Sequence, residues 1–323
     1  MKNFEEALKI AEEWTKEPFD KETREFVSSL ITENNKKEII DRFSMEMEFG
    51  TAGLRGILGA GTFLMNEYTV SRASKGFSDC LSSLYSDSVD KGVVIGFDCR
   101  HRSEEFAKIT AEVIAASGIK VYLYKKLSPT PLVPFAVTRM KAKAGIMITS
   151  SHNPKEYNGY KVYWENGAQI ISPLDQQISE YIGKISNYGN IPRLPLKEAV
   201  EKGLIEILAE EAVDKYINWA VETSAQRKYK DVKIVYTPLH GTGWFYVKKA
   251  FDQAGFTDLS VVEEQRDPDP EFPTVSAPNP EKPDAMELAL KFADKIKADI
   301  ILATDGDTDR IGTSVRKKDA DGS

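Results

Sequence analysis

Apolar residues recur every three to four positions through the first 42 residues, which is the spacing of one face of an amphipathic helix. We therefore expect a helical extension that covers part of the first domain. The pattern predicts two helices here, the first with Phe4, Leu8, Ala11 and Trp14 on its apolar face and the second with Phe26, Leu30, Ile39 and Ile40.

From Glu67 onward, helical segments alternate with short, continuous apolar runs. Such runs are typical of strands that are buried on both faces of a parallel sheet. Strands separated by helices of this length form a parallel, doubly wound sheet. The predicted elements are a helix over 67–86, a strand over 93–97, a helix over 104–117, a strand over 119–124, a short helix after Pro131, a strand over 144–148 and a helix over 173–185.

The second half of the chain repeats the pattern of the first half. Segment 141–149 resembles segment 295–304, since each follows a helix, contains an apolar strand and ends in a polar loop. We predict an α/β fold with two repeated α/β/α domains and mainly parallel sheets, preceded by N-terminal helices. The predicted units are a helical extension (1–42), a first domain (43–190), a linker (191–202) and a second domain (203–323), which includes a strand over 311–315.

Composition narrows the class of protein. The chain has 323 residues, 41% hydrophobic and 29% charged, which is typical of a soluble globular protein of two domains. A net charge of −7 and the lack of a Lys/Arg block argue against a nucleic-acid partner. Cys80 and Cys99 have neither a zinc spacing nor a disulfide framework, and no segment is typical of a signal peptide or a bilayer span. We expect a cytoplasmic protein without a membrane partner.

Small polar residues follow the predicted strand over 144–148, in the loop Thr149-Ser-Ser-His-Asn-Pro154. In an open α/β sheet, ligands bind at the carboxyl ends of the strands, so hydroxyl groups in this loop are well placed for chemistry. Taken alone, the same residues are also typical of a turn that satisfies its own backbone hydrogen bonds. This loop by itself leaves both interpretations open.

The second half of the chain contains a polar loop that is a more specific functional signal: Asp305-Gly-Asp-Thr-Asp309-Arg310, directly after an apolar strand. Alternate carboxylates in a tight loop can converge on one divalent cation, and their mutual repulsion requires either a cation or Arg310 nearby. A calcium-binding helix–loop–helix site is excluded, because Arg310 replaces the invariant glycine and Arg316 replaces the final glutamate. A solvated acidic turn is the alternative.

Three glycines occur in the stretch Phe49-Gly-Thr-Ala-Gly-Leu-Arg-Gly56, in which Arg55 is the only charge. Glycines permit a close approach of the backbone, and Arg55 is either an anion contact or a surface residue on a turn. The spacing is not that of a dinucleotide-binding fingerprint, and the chain contains no Walker A loop.

Five motifs together resemble the α-D-phosphohexomutases, the phosphoglucomutase and phosphomannomutase superfamily. They occur in the expected order and span nearly the whole chain, so the match is specific. The first motif and the long N-terminal helices resemble the branch that contains bacterial phosphoglucomutases and phosphopentomutase-like enzymes. The motifs are the glycine-rich stretch (49–56), the serine loop (149–154), the turn Thr237-Pro-Leu-His-Gly-Thr-Gly243, the segment Pro278-Asn-Pro-Glu281 and the aspartate loop (305–310).

The resemblance implies a chemistry for the two polar loops. Ser151 would carry a phosphoryl group, and Ser151 with Asp305, Asp307 and Asp309 would hold Mg²⁺, which supports phosphoryl transfer. The reaction would convert glucose 1-phosphate to glucose 6-phosphate, with glucose 1,6-bisphosphate as intermediate and activator. The partner would be a small-molecule sugar phosphate.

The resemblance also assigns roles to other residues. Lys161 aligns with a residue proposed as acid or base, and Arg55 with one that contacts the reacting phosphate. Asp309 and Arg310 are expected to contact the substrate beside the metal. The remaining candidates lie in the active-site loops: His152 as a catalytic residue, Arg100 and Asn153 as substrate contacts, and His101 as an orienting residue.

Members of this family have four domains, and the motifs of the sugar-recognition and phosphate-binding domains do not occur in this sequence. The resemblance therefore implies the N-terminal half of a phosphohexomutase, which would have little or no turnover without its missing C-terminal domains. Three alternatives stay open: a phosphomannomutase or phosphopentomutase of the same family, a magnesium-dependent phosphatase with an aspartate nucleophile, and a non-catalytic phosphosugar-binding module.

Overall fold

A computed structural model describes residues 1–50, 53–224 and 230–317. Thr51 and Ala52 of the glycine-rich stretch, and residues 318–323 of the predicted second domain, lie outside the described residues. The helices are α1 (Phe4–Glu13), α2 (Lys21–Thr32), α3 (Lys36–Phe43), α4 (Glu67–Leu84), α5 (Ser88–Lys91), α6 (Ser103–Ala116), α7 (Leu132–Met140), α8 (Leu174–Gly183), α9 (Leu196–Glu201), α10 (Glu210–Thr223), α11 (Gly243–Ala254) and α12 (Pro283–Ile296). The strands are β1 (Leu54–Ile57), β2 (Val93–Phe97), β3 (Val121–Tyr124), β4 (Ala144–Ile148), β5 (Tyr157–Trp164), β6 (Ile205–Leu208), β7 (Ile234–Thr237), β8 (Leu259–Val261), β9 (Ile300–Thr304) and β10 (Ile311–Val315).

The N-terminal extension contains three helices, whereas its sequence pattern predicted two. Asn34 has a φ of 52°, in the left-handed region that ends a helix. The side chain of Asn35 then accepts a hydrogen bond from the backbone N–H of Glu38 at 3.3 Å, so α3 begins as a separate, capped helix. The ring of Trp14 lies in the core of the extension and packs edge-on against Tyr68 of α4. The extension therefore covers part of the first domain.

The first sheet has six strands in the order β1-β5-β4-β2-β3-β6. The four strands β4, β2, β3 and β6 are parallel, while β5 and β1 are antiparallel to their neighbours. Helices α4, α6 and α8 pack on one face, and α7 and α10 pack on the other. Strands β2 and β4 are therefore buried along their whole length, which explains their continuous apolar sequences.

The second sheet has four strands in the order β10-β9-β7-β8, with β10 antiparallel to β9. This order matches β5-β4-β2-β3 of the first sheet, with the antiparallel strand in the same place. The predicted fold class is confirmed: two repeated α/β/α domains with mainly parallel sheets, preceded by N-terminal helices. The serine loop follows β4 and the aspartate loop follows β9, so the two loops occupy equivalent positions in the repeat.

The boundary between the domains differs from the predicted one. The predicted linker over 191–202 contains α9, and β6 pairs in parallel with β3 at the edge of the first sheet, where Ile205 lies opposite Val121. Only Ile205 and Leu208 of β6 are buried, and Glu206 interrupts its four residues, so the strand lacks the continuous apolar run that marks the central strands. The first sheet therefore extends to Leu208.

Both cysteines, Cys80 and Cys99, are buried free thiols. Burial raises the pKa of the Cys80 thiol to about 11, so it is protonated near pH 7. Across residues 1–50, 53–224 and 230–317, no helix is both long and apolar enough to cross a bilayer.

Candidate active site

Ser151 lies at the carboxyl end of β4 in a tightly held loop. Its φ of 52° places it in the left-handed region, and its backbone N–H donates to Thr149 Oγ1 at 2.8 Å. Gly159 on β5 permits the close approach of this loop, because a Cβ there would lie 2.5 Å from the carbonyl oxygen of Thr149. The strained backbone of Ser151 is thus fixed by contacts within the first domain.

Arg100 holds the serine loop through its backbone. The side chain is completely buried, and its Nε lies 3.4 Å from Asp98 Oδ2. Arg100 was predicted to contact the substrate, and in the structure its terminal nitrogens bind the loop instead. Their acceptors are the carbonyl oxygens of Ser151 (2.8 Å), Asn153 (2.5 Å), Pro154 (2.8 Å) and Tyr157 (3.1 Å).

The aspartate loop follows β9 as the serine loop follows β4. Asp305 Oδ1 accepts hydrogen bonds from the backbone N–H groups of Asp309 and Arg310, both at 3.1 Å, and Thr308 has a φ of 60°. Asp305 and Asp307 are fully buried, while the Asp309 side chain is partly exposed. One carboxylate oxygen of each aspartate lies within 4.8 Å of the other two. The convergence of alternate carboxylates is therefore present in the fold.

The two loops meet across the boundary between the domains. Ser151 Oγ donates to Asp305 Oδ2 at 2.7 Å. Lys161, buried on β5, donates from Nζ to Asp307 Oδ2 at 2.7 Å and to Asp309 Oδ2 at 2.8 Å. The first domain thus supplies a hydroxyl group and a cation, and the second domain supplies three carboxylates.

The buried charged groups of the cluster shift one another's pKa values. Burial, followed by the charges of Asp307 and Asp309, raises the pKa of Asp305. Burial acts in the same direction on Asp307, but the charge and hydrogen bond of Lys161 outweigh it and lower the pKa of Asp307. For Lys161, burial acts to lower the pKa, yet the two carboxylates that it contacts raise it. Lys161 is therefore charged and neutralises part of the cluster.

The carboxylate cluster fits a hard divalent cation. Asp307 Oδ1 is buried, and no described residue forms a hydrogen bond with it. An unpaired buried carboxylate oxygen is costly, and oxygen ligands from aspartates are those that Mg²⁺ prefers. The groups that would hold such an ion are Ser151 Oγ and the carboxylates of Asp305, Asp307 and Asp309.

His152 and Arg55 lie next to the serine. His152 Nδ1 is 3.2 Å from Ser151 Oγ, and burial, followed by the charges of Arg310 and Arg55, lowers the pKa of His152. His152 is therefore neutral near pH 7. Arg55 Nη1 donates to Asn153 Oδ1 at 3.4 Å, whereas its buried Nε has no partner within the part of the chain that the structure describes. Both side chains keep polar atoms that an anion could use.

Two other predicted residues lie nearer the surface. Arg310 Nη1 donates to Glu281 Oε1 at 3.2 Å, and its side chain is 38% exposed, so it remains accessible to a ligand. His101 Nε2 lies 2.6 Å from Glu271 Oε1, and Lys155 donates to the other oxygen of Glu271 at 2.7 Å. His101 therefore links the two domains at the surface, and its side chain does not bond to the cluster.

Thr130 was not predicted as a site residue, although it reaches the cluster. Its Oγ1 donates to Asp307 Oδ2 at 2.6 Å, and its backbone N–H donates to the carbonyl oxygen of Asp307 at 2.8 Å. Thr130 belongs to the Ser128-Pro-Thr-Pro131 segment, shortly after β3. A hydroxyl group near the carboxyl end of a parallel strand is the signal that could have identified it.

The turn over 237–243 supports the aspartate loop from within the second domain. Thr242 donates its backbone N–H to the carbonyl oxygen of Gly306 at 3.0 Å. Gly241 faces Gly306 so closely that a Cβ on Gly241 would lie 2.6 Å from the Gly306 carbonyl oxygen. Position 241 therefore needs a glycine, because a larger residue would clash with the backbone of Gly306.

The fold and the site define a two-domain α/β/α protein in which a serine hydroxyl group meets an acidic cluster. Two domain models of one family match the chain: phosphoglucomutase/phosphomannomutase alpha/beta/alpha domain I over residues 46–189, and domain II over residues 211–318. The chain belongs to the phosphoglucomutase/phosphomannomutase family.

Several named relatives are mutases. The chain is 42% identical over 312 residues to phosphopentomutase from Homo sapiens, covering 91% of this chain and 50% of that protein. It is 40% identical over 315 residues to glucose 1,6-bisphosphate synthase from Homo sapiens (93% and 49%), and 40% identical over 274 residues to phosphoglucomutase from Staphylococcus haemolyticus (84% and 48%). The chain thus spans about half the length of the curated relatives it matches.

A phosphomannomutase structure from Thermus thermophilus resembles the fold. The TM-score is 0.70 at 26% sequence identity, and the match covers 84% of this chain and 57% of that chain. The sequence and the fold therefore lead to the same family.

Proposed function

We propose that this chain carries the phosphoryl-transfer centre of a sugar-phosphate mutase, in which Ser151 accepts a phosphoryl group and returns it. The observation that supports this most directly is the contact of 2.7 Å between Ser151 Oγ and Asp305 Oδ2, within a cluster of three carboxylates. A nucleophile that faces oxygen ligands for a divalent cation is the arrangement that phosphoryl transfer requires.

The transfer exchanges one phosphorus–oxygen bond for another. Ser151 Oγ forms a bond to the phosphorus of a sugar bisphosphate, while the bond from that phosphorus to the sugar oxygen breaks. The proton of the serine hydroxyl group has two acceptors within reach, Asp305 Oδ2 at 2.7 Å and His152 Nδ1 at 3.2 Å. The resemblance to the family assigns Lys161 as the acid that gives a proton to the leaving sugar oxygen, and its position in the cluster, 2.7 Å from Asp307 Oδ2, is consistent with that role.

The surrounding charges favour a phosphoryl group at this position. Asn153 lies in the serine loop, Arg55 bonds to it, and both would contact the oxygens of the transferred group. Asp309 and Arg310 are partly exposed and would contact the rest of the sugar phosphate. Mg²⁺, when bound by the aspartates, would neutralise the negative charge of the group during transfer.

We propose glucose 1-phosphate and glucose 6-phosphate as the substrate pair, with glucose 1,6-bisphosphate as the phosphoryl donor to Ser151. The relatives' names include both pentose and glucose phosphates, at 42% and 40% identity, a difference too small to separate the two sugars. Pentose and mannose phosphates are therefore the alternatives to be tested against glucose phosphates as acceptors.

A phosphatase with Asp305 as nucleophile is less favoured. Asp305 Oδ1 accepts two backbone N–H groups and Oδ2 accepts the hydroxyl group of Ser151, an arrangement that suits Asp305 as the partner of a serine nucleophile. A non-catalytic binding module has no need of a nucleophile opposite a set of metal ligands.

The test is the intact mass of the purified chain, measured before and after incubation with glucose 1,6-bisphosphate and Mg²⁺ and followed by peptide mapping. Ser150→Ala is a matched control, because Ser150 is the buried neighbour of Ser151 and its Oγ has no hydrogen-bond partner among the described residues. We expect the wild type and Ser150→Ala to gain one phosphoryl group on Ser151, and Ser151→Ala to gain none. A phosphoryl group on an aspartate, or no loading of the wild type, would contradict the proposal.

A further inference from the structure

Thr130 belongs to the first domain, but its side chain binds the aspartate loop of the second. It is 4% exposed and lies between Pro129 and Pro131, whose rings fix the backbone on either side. Its carbonyl oxygen accepts the backbone N–H of Val133 at 3.1 Å, which joins it to the first turn of α7. Thr130 is therefore a rigid element that reaches across the domain boundary.

The two carboxylate oxygens of Asp307 differ in their hydrogen-bond partners. Oδ2 accepts hydrogen bonds from Thr130 Oγ1 at 2.6 Å and from Lys161 Nζ at 2.7 Å, whereas Oδ1 has no partner in the described ranges. The backbone N–H of Thr130 also binds the carbonyl oxygen of Asp307 at 2.8 Å. Two bonds from one residue therefore fix both the main chain and the carboxylate of Asp307.

Without such a contact, the carboxylate would be poorly fixed. The terminal torsion of an aspartate is broad and nearly two-fold, so its two oxygens exchange places easily. Lys161 alone supplies a compact charge on a flexible stem, and it divides its bonds between Asp307 and Asp309. The branched side chain of Thr130 is stiff, which makes its hydroxyl group the directional partner.

We propose that Thr130 is a positioning residue for the cation: it holds the carboxylate of Asp307 so that Oδ1 stays available as a ligand. Cation affinity then depends on the contact between the two domains. This inference rests on the proposed function only in that the aspartate loop binds a divalent cation, and it does not depend on phosphoryl transfer to Ser151.

The experiment measures Mn²⁺ binding to the full chain by titration calorimetry. Thr130→Val removes the hydroxyl group but keeps the shape and the backbone N–H, whereas Thr130→Ser keeps the hydroxyl group. Thr138→Val on α7 is the matched control, since the Thr138 side chain is exposed and bonds only within its helix. We expect Thr130→Val to weaken Mn²⁺ binding by about 10- to 100-fold, as substitutions behind metal ligands do, while Thr130→Ser and Thr138→Val bind within a few-fold of the wild type.

Thermal unfolding in the presence of a chelator separates positioning from a purely structural role. We expect Thr130→Val to unfold near the wild-type temperature without metal, because Lys161 still satisfies Asp307 Oδ2. If Thr130→Val does not fold, Thr130→Ala takes its place with the same expected loss of affinity. Equal Mn²⁺ affinity in the wild type and in a folded variant without the hydroxyl group would overturn the inference. If the wild type itself binds no Mn²⁺, the proposed metal ligands fail first and the inference fails with them.

Discussion

The serine loop and the aspartate loop occupy the same place in two copies of one topology, but they are held in opposite ways. Arg100, from the same domain, holds the serine loop through its carbonyl oxygens. In the aspartate loop, the other domain instead bonds Asp307, through Lys161 and Thr130, and Asp309, through Lys161. The shape of the serine loop is therefore a property of one domain, whereas the charge of the aspartate loop is balanced only where the domains meet.

The antiparallel strand beside each loop shows the same divergence. Strand β5 is buried along nearly all its length and carries Lys161 opposite Met147, the fourth residue of β4. In the second sheet, the fourth residue of β9 is Ala303, and Gly312 of β10 lies opposite it. A Cβ on Gly312 would lie 2.8 Å from Pro280 Cβ. One scaffold position thus presents a buried cation in the first domain and permits close packing in the second.

The largest expected effect comes from removing the cation that holds the serine loop. Arg100→Met leaves Asp98 buried without its charge partner, so we expect the free energy of unfolding to fall by about 3–5 kcal/mol. Arg102→Met is the control, because Arg102 is partly exposed and pairs with Glu105 at the surface, and we expect a loss of at most about 1 kcal/mol. Denaturant titration checks both values. A similar loss in the two variants would show that burial of Arg100 has no special role.

Removing the cation that faces the aspartate loop should lower the free energy of unfolding, and added metal should reverse this loss. In a chelator, we expect Lys161→Met to lose about 3 kcal/mol, the lower end of the range for a broken buried pair, because Asp309 is partly exposed. Added Mg²⁺ stabilises by about 2.7 kcal/mol at 100 times its Kd. The gain at a given Mg²⁺ concentration should exceed that of the wild type, since the site has lost the positive charge of Lys161 beside Asp307 and Asp309.

The same titration on Arg100→Met sharpens the contrast. Among the residues that the structure describes, Asp98 belongs to no carboxylate cluster in which a cation could take the place of Arg100, so Mg²⁺ should stabilise this variant no more than it stabilises the wild type. If Mg²⁺ reverses the loss in Arg100→Met but not in Lys161→Met, the assignment of the two cations to the two loops is wrong.

The smallest effect should come from the surface link between the domains. Glu271→Gln weakens the bonds to His101 and Lys155, but all three side chains are exposed, so we expect no resolvable change in the denaturation midpoint. Glu281→Gln, which weakens the pair with Arg310, is a comparable surface change. A clear destabilisation by Glu271→Gln alone would mean that the surface contacts, rather than the buried cluster, hold the loops together.

Much of the fold could be predicted from the sequence because its central strands are buried on both faces. The buried strands over 93–97 and 144–148 were predicted with the bounds that the structure gives, and so was the largely exposed edge strand over 311–315. Strand β6 and the separate helix α3 were missed, because Glu206 interrupts the short apolar pattern of the first and the second depends on the backbone of Asn34. Local patterns carry little information about such short elements.

The candidate site could be predicted in part. Motifs identified Ser151 and the aspartates as candidates, and the fold brings them together, although their catalytic roles stay predictions. Sequence patterns could not show that Arg100 binds carbonyl oxygens rather than a ligand, since a buried and an exposed arginine look alike in a sequence. Thr130 was missed because its partner Asp307 is 177 residues away along the chain.

The close approach of Gly241 and Gly306 constrains how this sequence can change over evolutionary time. A Cβ on Gly241 would meet the carbonyl oxygen, the Cα and the carbonyl carbon of Gly306 at 2.6, 2.7 and 2.9 Å, and backbone atoms cannot turn aside as the end of a side chain can. Gly306 is confined less tightly, since a Cβ there would lie 3.0 Å from the carbonyl oxygen of Ser151. A larger residue at Gly241 would therefore require the aspartate loop to move, and one at Gly306 would press that loop against the serine loop, so we expect these segments to change together.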